Sequence, residues 1–303
     1  MSAPSPIVSV VIPALDAATT LGAQLEAVLS QECAVPFEVI VADNGSSDGT
    51  RELVARMSLA DSRLRLVDAS SAPRGGAAAK NTGVAHARGR YLAFCDADDL
   101  VAPGWLREIY DGLTDSHAVV VTREYWDLNP DLPRETQPRT MDEIVFHGVP
   151  TVAGGAFGIH RDSYQEVGGF DETFLGPVDI DFGIRLFCKV GIGPAVRPRA
   201  VVHCRVPTSP VARFRRYRSL SRSVPLLLSR HKAQLTGSPS QHLWRRAKLF
   251  LWLCSRPHHL LVAHRRLRWV QSAGVLVGEM EGVLKFHAVR VRELRPVALR
   301  QSP

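Results

Sequence analysis

The sequence lacks the features that mark several common classes of protein. No GxGxxG follows its first apolar run, so a dinucleotide-binding dehydrogenase is not expected. The opening stretch, MSAPSPIVSVVIPAL, has no basic segment ahead of its short apolar run, so we expect no secretion signal and a cytoplasmic location. The cysteines are few and have no CxxC spacing, which argues against a zinc ribbon or a disulfide framework: Cys33, Cys95, Cys188, Cys204 and Cys254.

Long uncharged apolar runs are absent as well, since none approaches the ~20 residues that a membrane-spanning helix needs. Over 303 residues, 45% hydrophobic and 22% charged residues are ordinary values for a globular protein. The length is sufficient for one large α/β domain with an appendage.

Charge is distributed unevenly between two parts of the chain. Residues 1–209 carry 27 acidic and 18 basic side chains, which gives a net charge of −9. Residues 210–303 carry 3 acidic and 19 basic side chains, which gives +16. The difference predicts a domain over 1–209 and a basic helical region over 210–303, with different partners.

The first hundred residues alternate between strand and helix patterns. Apolar, β-branched runs at 7–15 and 37–43 predict buried strands, and the helical spacing of leucines over 20–31 predicts a helix between them. The rhythm continues through strands near 64–70 and 91–96. Such alternation predicts an α/β fold whose mostly parallel sheet is flanked by helices. Ligands of these sheets bind beyond the carboxyl ends of the strands.

Acidic side chains crowd the end of the strand YLAFCDADDL (91–100). Asp96 and Asp98 point the same way because side chains alternate along an extended chain, whereas Asp99 points aside. Neighbouring carboxylates repel unless a cation lies between them, and hard divalent ions such as Mg²⁺ or Mn²⁺ prefer oxygen ligands. The pattern predicts a metal that holds a diphosphate; an Asp-rich turn without a ligand is the alternative.

Four segments of the chain match a known family in that family's order: VSVVIPALDAATTL, FEVIVADNGSSDGT, GGAAAKNTGVAHARGRYLAFCDADDLVAPGWL and GGFDETFLGPVDIDFGIR. With them, the first 205 residues resemble the family 2 glycosyltransferases. The resemblance implies the GT-A fold, with a Rossmann-like, mostly parallel sheet. It also implies a catalytic domain over 1–209, with a nucleotide-sugar half over about 1–100 and an acceptor half over about 101–209.

The resemblance further implies roles for residues on the donor side. It makes Asp43 the partner of the donor's base and Asp98 a direct ligand of Mg²⁺ or Mn²⁺, with His203 completing the metal shell. The other donor-binding residues implied are Pro13, Ala14, Lys80, Asn81 and Asp96. Three of these roles have a structural alternative: Asp43 is then only a turn residue, Lys80 a solvated charge on a helix, and His203 a histidine without a metal.

The catalytic base implied by the resemblance is Asp179. In an inverting transfer the acceptor hydroxyl attacks the anomeric carbon from the face opposite the nucleotide, while a carboxylate takes its proton. The family has a Glu-Asp pair where this chain has Val178-Asp179, a departure that bears on acceptor contacts and on the tuning of the base. Asp179 alternatively caps the helix that we predict from 179 to 190. The residues expected to lie on the acceptor side or to support the active site are Gly154, Gly155, Asp181 and Arg185.

The expected donor is a UDP-sugar, with GDP- and dTDP-sugars as alternatives. The pair Leu15-Asp16, where the family commonly has Tyr-Asn, leaves the nucleotide open. The expected acceptor is a carbohydrate or a lipid-linked molecule, in the biosynthesis of the cell envelope or of another glycan. A nucleotidyltransferase ranks lower, because the Gly-rich, basic loop that such enzymes carry after the first strand is absent.

The basic region contains a predicted amphipathic helix bordered by tryptophans. Such a helix either lies on an anionic membrane surface, at the inner face of the plasma membrane, or packs on the catalytic domain or a second subunit. The alternative function is a catalytically degenerate nucleotide-binding adaptor. A nucleic acid partner is not expected, because no RNA-reading motif is present. The apolar positions at helical spacing are Leu243, Ala247, Phe250, Leu251 and Cys254, and the tryptophans are Trp244, Trp252 and Trp269.

Overall fold

The computed structural model describes residues 4–132, 145–152, 155–174, 176–191, 193–236 and 239–288. The elements of its first half confirm the predicted alternation of strands and helices. They are β1 (Val8–Ala14), α1 (Leu21–Leu29), β2 (Phe37–Asp43), α2 (Thr50–Ala60), β3 (Leu64–Asp68), α3 (Gly76–His86), β4 (Tyr91–Phe94), β5 (Leu100–Val101), α4 (Trp105–Asp115) and β6 (Ala118–Glu124).

The second half begins with two short strands and becomes helical toward its end. A 3₁₀ turn (Pro257–Leu261) joins the last two helices. The elements are β7 (Val145–Phe146), β8 (Val149–Pro150), β9 (Phe157–His160), α5 (Arg161–Val167), α6 (Val178–Val190), β10 (Ala195–His203), α7 (Pro210–Ser221), α8 (Val224–Arg230), α9 (Pro239–Ser255) and α10 (Ala263–Ala288).

The main sheet has the strand order β3-β2-β1-β4-β9-β6-β10-β5. Strands β1 to β4 pair in parallel, as do β6 and β10, whereas β9 is antiparallel to both of its neighbours. The chain fills the sheet from β1 outward to β3 and then crosses to place β4 on the other side of β1. This reversal opens a crevice at the carboxyl ends of β1 and β4, where open α/β sheets bind ligands. The predicted α/β fold is confirmed.

Side chains of the central strands alternate between two cores, one on each face of the sheet. In β1, Val10 and Ile12 pack with α1 and α4, whereas Val11 faces α3. The second core contains an aromatic cluster that includes Phe157, Tyr164 and Phe182. Removing one such ring typically costs about 3–5 kcal/mol of stability. The cluster therefore anchors α6 firmly against the sheet.

Helix α6 ends at Gly191, as predicted, because this glycine adopts a left-handed conformation with φ of 75°. Its N-cap position is occupied by Pro177, and Asp179 lies in the first turn. A carboxylate in the first turn interacts favourably with the helix dipole.

Helices α7 and α10 pack at unusually short range through a stripe of glycines. A Cβ atom built on Gly278 would lie 2.2 Å from the carbonyl oxygen of Arg218, and one on Gly282 would lie 2.1 Å from that of Arg222. Both arginines also pair with Glu281. The basic region therefore forms a fixed platform in which α10 lies directly on α7.

The basic region also shares a core with the domain before it. Leu226 and Leu227 of α8 are buried together with Phe174 and with Ile184 of α6. Among the described helices, none combines the length and the apolarity that crossing a bilayer requires.

Candidate active site

An open cavity of about 350 Å³ lies in the crevice at the carboxyl ends of β1 and β4. The loop after β1, the loop after β4 and the first turn of α3 contribute residues to its lining. The residues that line it include Pro13, Ala14, Asp16, Asn44, Gly75, Ala79, Asp96 and Asp98. Four of the residues predicted from the sequence, Pro13, Ala14, Asp96 and Asp98, therefore meet here.

The loops after β1 and β2 are tied to each other beside this cavity. The Asp16 carboxylate accepts a hydrogen bond from the Ser47 backbone N–H at 2.8 Å, and the Asp16 N–H donates to the Ser46 hydroxyl at 2.9 Å. Asp16 has φ of 49°, in the left-handed region. The aspartate at position 16 thus serves to shape the wall of the cavity.

Asp43 is fully buried at the end of β2. Its Oδ2 accepts hydrogen bonds from the N–H groups of Gly45 and Ser46 and pairs with Arg51 at 3.2 Å. Its Oδ1 is buried and has no hydrogen-bond partner among the described residues. A buried carboxylate oxygen without a partner is costly, so this atom can accept an N–H from a ligand.

Lys80 joins two acidic residues that the sequence places far apart. Its buried Nζ lies 3.3 Å from Oδ1 of Asp179 and 3.6 Å from Oδ1 of Asp96. Burial alone would lower the pKa of Lys80, but the carboxylates of Asp179 and Asp96 outweigh it and raise the pKa above its ordinary value. The lysine is therefore a fixed positive charge between the donor side and α6.

Gly155 supports the same cluster from the opposite side. Its N–H donates to Oδ2 of Asp179 at 2.9 Å, so both oxygens of this carboxylate are oriented. A Cβ at Gly155 would lie 2.1 Å from Oδ2 of Asp96, and the residue has φ of 74°. Only glycine fits here without displacing Asp96. Its predicted companion Gly154 lies outside the described residues.

Asp96, Asp98 and Asp99 each offer one carboxylate oxygen, and these oxygens lie within 4.8 Å of one another. The expectation that Asp99 points aside is wrong, because β4 ends at Phe94 and the alternation of an extended strand does not reach these residues. Burial, followed by the charges of Asp96 and Asp98, raises the pKa of Asp99 to about 7. This crowding of like charges is what a divalent cation relieves, and the oxygen donors suit Mg²⁺ or Mn²⁺. The three carboxylates therefore fit a divalent metal ion.

Arg216 also reaches this acidic cluster, with its Nη1 3.9 Å from Oδ2 of Asp98. Sequence reasoning treated this arginine only as part of a basic run.

His203 lies at the end of β10, with Leu100 of β5 as its strand partner. Its Nδ1 is 3.3 Å from Oε2 of Glu124 and 3.2 Å from Oδ2 of Asp127. The three side chains form a second group with the spacing of metal ligands, distinct from the Asp96 group. Sequence reasoning missed both acidic residues. Pairing of β6 with β10 sets Glu124 opposite His203, and the chain that follows β6 brings Asp127 beside them.

Three predicted residues hold the surroundings of the site together. The amide of Asn81 donates to the carbonyl oxygen of Phe170 and accepts from the N–H of the same residue, which fixes the loop before α6. Asp181 is fully buried, accepts from Arg185 at 2.8 Å and lies 2.8 Å from Nε2 of His231. Asp181 and Arg185 thus connect α6 to its neighbours and do not line the cavity.

Fold and site together define an α/β protein with an acidic cluster at its topological switch point. Residues 9–168, more than half of the chain, match the family model described as "Glycosyl transferase family 2". The chain belongs to this family. The resemblance inferred from the sequence is therefore confirmed.

Similarity to curated proteins is confined to part of the chain. It is 41% identical over 106 residues to the "Succinoglycan biosynthesis protein ExoO" of Rhizobium meliloti, covering 35% of this chain and 29% of that protein. It is 40% identical over 94 residues to the "UDP-Glc:alpha-D-GlcNAc-diphosphoundecaprenol beta-1,3-glucosyltransferase WfgD" of Escherichia coli, covering 31% and 36%. The matched stretches thus span less than half of either relative.

Solved structures resemble nearly the whole chain. The "Mannosyltransferase PcManGT from Pyrobaculum calidifontis in complex with GDP-Man and Mn2+" superposes with a TM-score of 0.63 at 21% identity, covering 93% of this chain and 88% of that one. S. aureus TarS 1-349 in complex with UDP-GlcNAc superposes with a TM-score of 0.52 at 14% identity, covering 92% of each chain. These likenesses show the fold, which is the GT-A fold expected from the resemblance.

Proposed function

We propose that this protein transfers a sugar from a nucleotide-sugar donor to an acceptor hydroxyl with inversion at the anomeric carbon. The single observation that carries the proposal is the cluster in which Lys80 bridges Asp179 and Asp96, the last of which lines the cavity. One ammonium thus holds a donor-side acid close to the candidate base, and an attack on a bound donor requires such proximity.

The donor's base is proposed to lie against Asp43, whose free Oδ1 accepts an N–H, with the backbone of Pro13 and Ala14 alongside. A UDP-sugar is the first candidate and GDP- and dTDP-sugars are the alternatives. The structural relatives bind GDP-mannose in one case and UDP-GlcNAc in another, which supports a nucleotide sugar without selecting the base.

The diphosphate is proposed to lie near Asp98, which binds the metal together with Asp96. His203, the other expected ligand, lies with Glu124 and Asp127 in the second group. When bound, Mg²⁺ or Mn²⁺ neutralises the negative charge that grows on the leaving diphosphate. The guanidinium of Arg216, beside Asp98, adds positive charge at the same place. The Mn²⁺ in the mannosyltransferase complex supports the choice of metal.

Asp179 is proposed as the base that takes the acceptor's proton. The N–H of Gly155 and the ammonium of Lys80 hold its two oxygens in place, so the carboxylate is aimed before the acceptor arrives. Lys80 also lies next to Asp96 and keeps the donor and acceptor sides at a constant distance. Lys80 is therefore a positioning residue.

The acceptor is proposed to be a carbohydrate or a lipid-linked molecule of a cell-envelope glycan. The printed names of the relatives support this setting, since one concerns succinoglycan and another a diphosphoundecaprenol acceptor. We further propose residues 1–209 as the catalytic domain, with its donor half over about 1–100, and 210–303 as an attached basic region of a cytoplasmic protein.

A thermal-shift screen of nucleotide sugars with and without Mn²⁺ tests the proposal. A donor that binds the native state raises the melting temperature by mass action. The Mn²⁺-dependent part of this shift should vanish in Asp98→Asn and persist in Asp115→Asn, an exposed control on α4. A hit is then assayed for release of the nucleoside diphosphate. Mn²⁺-dependent binding without release on any acceptor would favour the degenerate adaptor.

A further inference from the structure

Exposed apolar side chains collect at one end of the hairpin formed by α9 and α10. This end, the hairpin tip, comprises residues 250–268. Leu251 is 60% exposed and Leu261 is 83% exposed, and no residue of the 3₁₀ turn is buried. Exposed leucines are normal when they are scattered, but a run of them in one turn marks a surface that contacts something else.

The hairpin tip is also strongly basic. It contains no acidic residue, and its arginines are exposed. The two acidic residues of α10 lie elsewhere and are already paired, Glu279 with Arg246 and Glu281 with Arg218. The positive charge of the tip is therefore not offset by its own helices. The arginines concerned are Arg256, Arg265, Arg266 and Arg268.

The tip projects from a rigid base. The indole N–H of Trp269 donates to the carbonyl oxygen of Leu253 at 3.2 Å, which joins α10 to α9. Further along, the glycines of α10 lie against the backbone of α7, the helix that carries Arg216 to Asp98. Whatever the tip binds is thus held at a constant position relative to the acidic cluster.

We propose that the hairpin tip docks on an anionic lipid bilayer. Leu260, Leu261 and Val262 enter the boundary between headgroups and acyl chains, and the surrounding arginines bind lipid phosphates. Among the described residues, the tip's arginines form no ion pair, although Arg256 stacks over Trp252. Together with the exposed leucines they are complementary to a surface that is apolar below and negatively charged above. The proposal goes beyond sugar transfer, since docking requires neither donor nor acceptor.

Two other possible partners, a second copy of the chain and a nucleic acid, would be complementary to only part of this surface. A second copy of the chain, related by two-fold symmetry, would bring the arginines of one tip against those of the other. A nucleic acid would pair with the arginines but would leave Leu260 and Leu261 in water.

Co-sedimentation of the full chain with vesicles tests the proposal. We expect binding to phosphatidylcholine vesicles that contain phosphatidylglycerol, weaker binding at high salt, and little binding to phosphatidylcholine alone. The double variant Arg265→Gln/Arg266→Gln should weaken binding about 30-fold, and Leu261→Asp should weaken it roughly tenfold or more.

The matched controls make the same kinds of residue change, Leu to Asp and Arg to Gln, at exposed positions of the proposed catalytic domain. Leu59→Asp, at a leucine that is 89% exposed on α2, and Arg56→Gln/Arg107→Gln should bind vesicles like the wild type. All variants should keep the melting temperature and its shift with nucleotide sugar, which separates this proposal from sugar transfer. Equal binding of Leu261→Asp and wild type would overturn it. So would a dimer or a nucleic acid complex that depends on Leu261 while vesicles are not bound.

Discussion

The ammonium of Lys80 lies 3.3 Å from the carboxylate of Asp179, although the two residues are 99 positions apart in the sequence. The same ammonium lies 3.6 Å from Asp96. A single buried cation therefore couples the end of β4 to the first turn of α6. This arrangement makes the donor-side acid and the candidate base parts of one electrostatic unit.

Replacing Asp179 with Asn should reduce the rate of sugar transfer by about 10²–10⁴-fold, because an amide cannot accept the acceptor's proton. Binding of the donor should persist, since it is proposed to rest on Asp43, Asp98 and the loop after β1. Steady-state assays combined with thermal shifts separate the two effects. Asp115→Asn is the control, and full activity of Asp179→Asn would rule out the assigned role.

Replacing Gly155 with Ala should damage the site without unfolding the protein. The new Cβ would lie 2.1 Å from Asp96, so the carboxylate must move and the Mn²⁺-dependent thermal shift should shrink. Gly104→Ala is a matched control, because Gly104 also has a left-handed backbone, with φ of 80°, but nothing lies within 4 Å of its Cβ position. If both variants lost the shift equally, backbone strain and not the clash would be the cause.

Glu38 should make stability depend on pH. Burial alone raises its pKa, but hydrogen bonds from the N–H of Arg88 and the hydroxyl of Ser9 outweigh it and lower the pKa below the ordinary 4.5. Its contribution is complete above that ordinary value and is lost as the pH falls through the lower folded pKa. Glu38→Gln should reduce the free energy of unfolding at neutral pH by about 1–3 kcal/mol.

Urea denaturation from neutral to acidic pH measures this effect. The variant should show a flatter fall of stability with acid than the wild type. Glu26→Gln, at an exposed glutamate on α1, should follow the wild-type curve. Parallel curves for Glu38→Gln and wild type would show that another group causes the acid sensitivity.

Replacing Gly278 with Ala should push α10 away from α7, because the added methyl would lie 2.2 Å from the carbonyl oxygen of Arg218. Overpacking of this kind costs about 1–3 kcal/mol, which chemical denaturation detects. Met280→Ala, on the exposed face of the same helix, should change stability much less. An unchanged midpoint for Gly278→Ala would mean that the two helices separate easily.

The helix at 243–254 illustrates how far a periodic pattern leads. Its spacing predicted an apolar face, and the helix exists, but Phe250 and Leu251 of that face are exposed while Leu253 is buried against α10. Periodicity shows which residues share a face. The partner that a face meets depends on how the neighbouring helices pack, which the spacing does not encode.

The sequence by itself determined the alternation of strands and helices, the acidic cluster at the end of β4 and the glycine that ends α6, because these follow from local side-chain patterns and backbone preferences. Only the tertiary structure decided that Lys80 pairs with Asp179, that Glu124 and Asp127 meet His203, and that Asp181 turns away from the cavity. Those contacts join distant parts of the chain, and they are set by sheet topology and close packing of whole elements, which no short stretch of sequence contains.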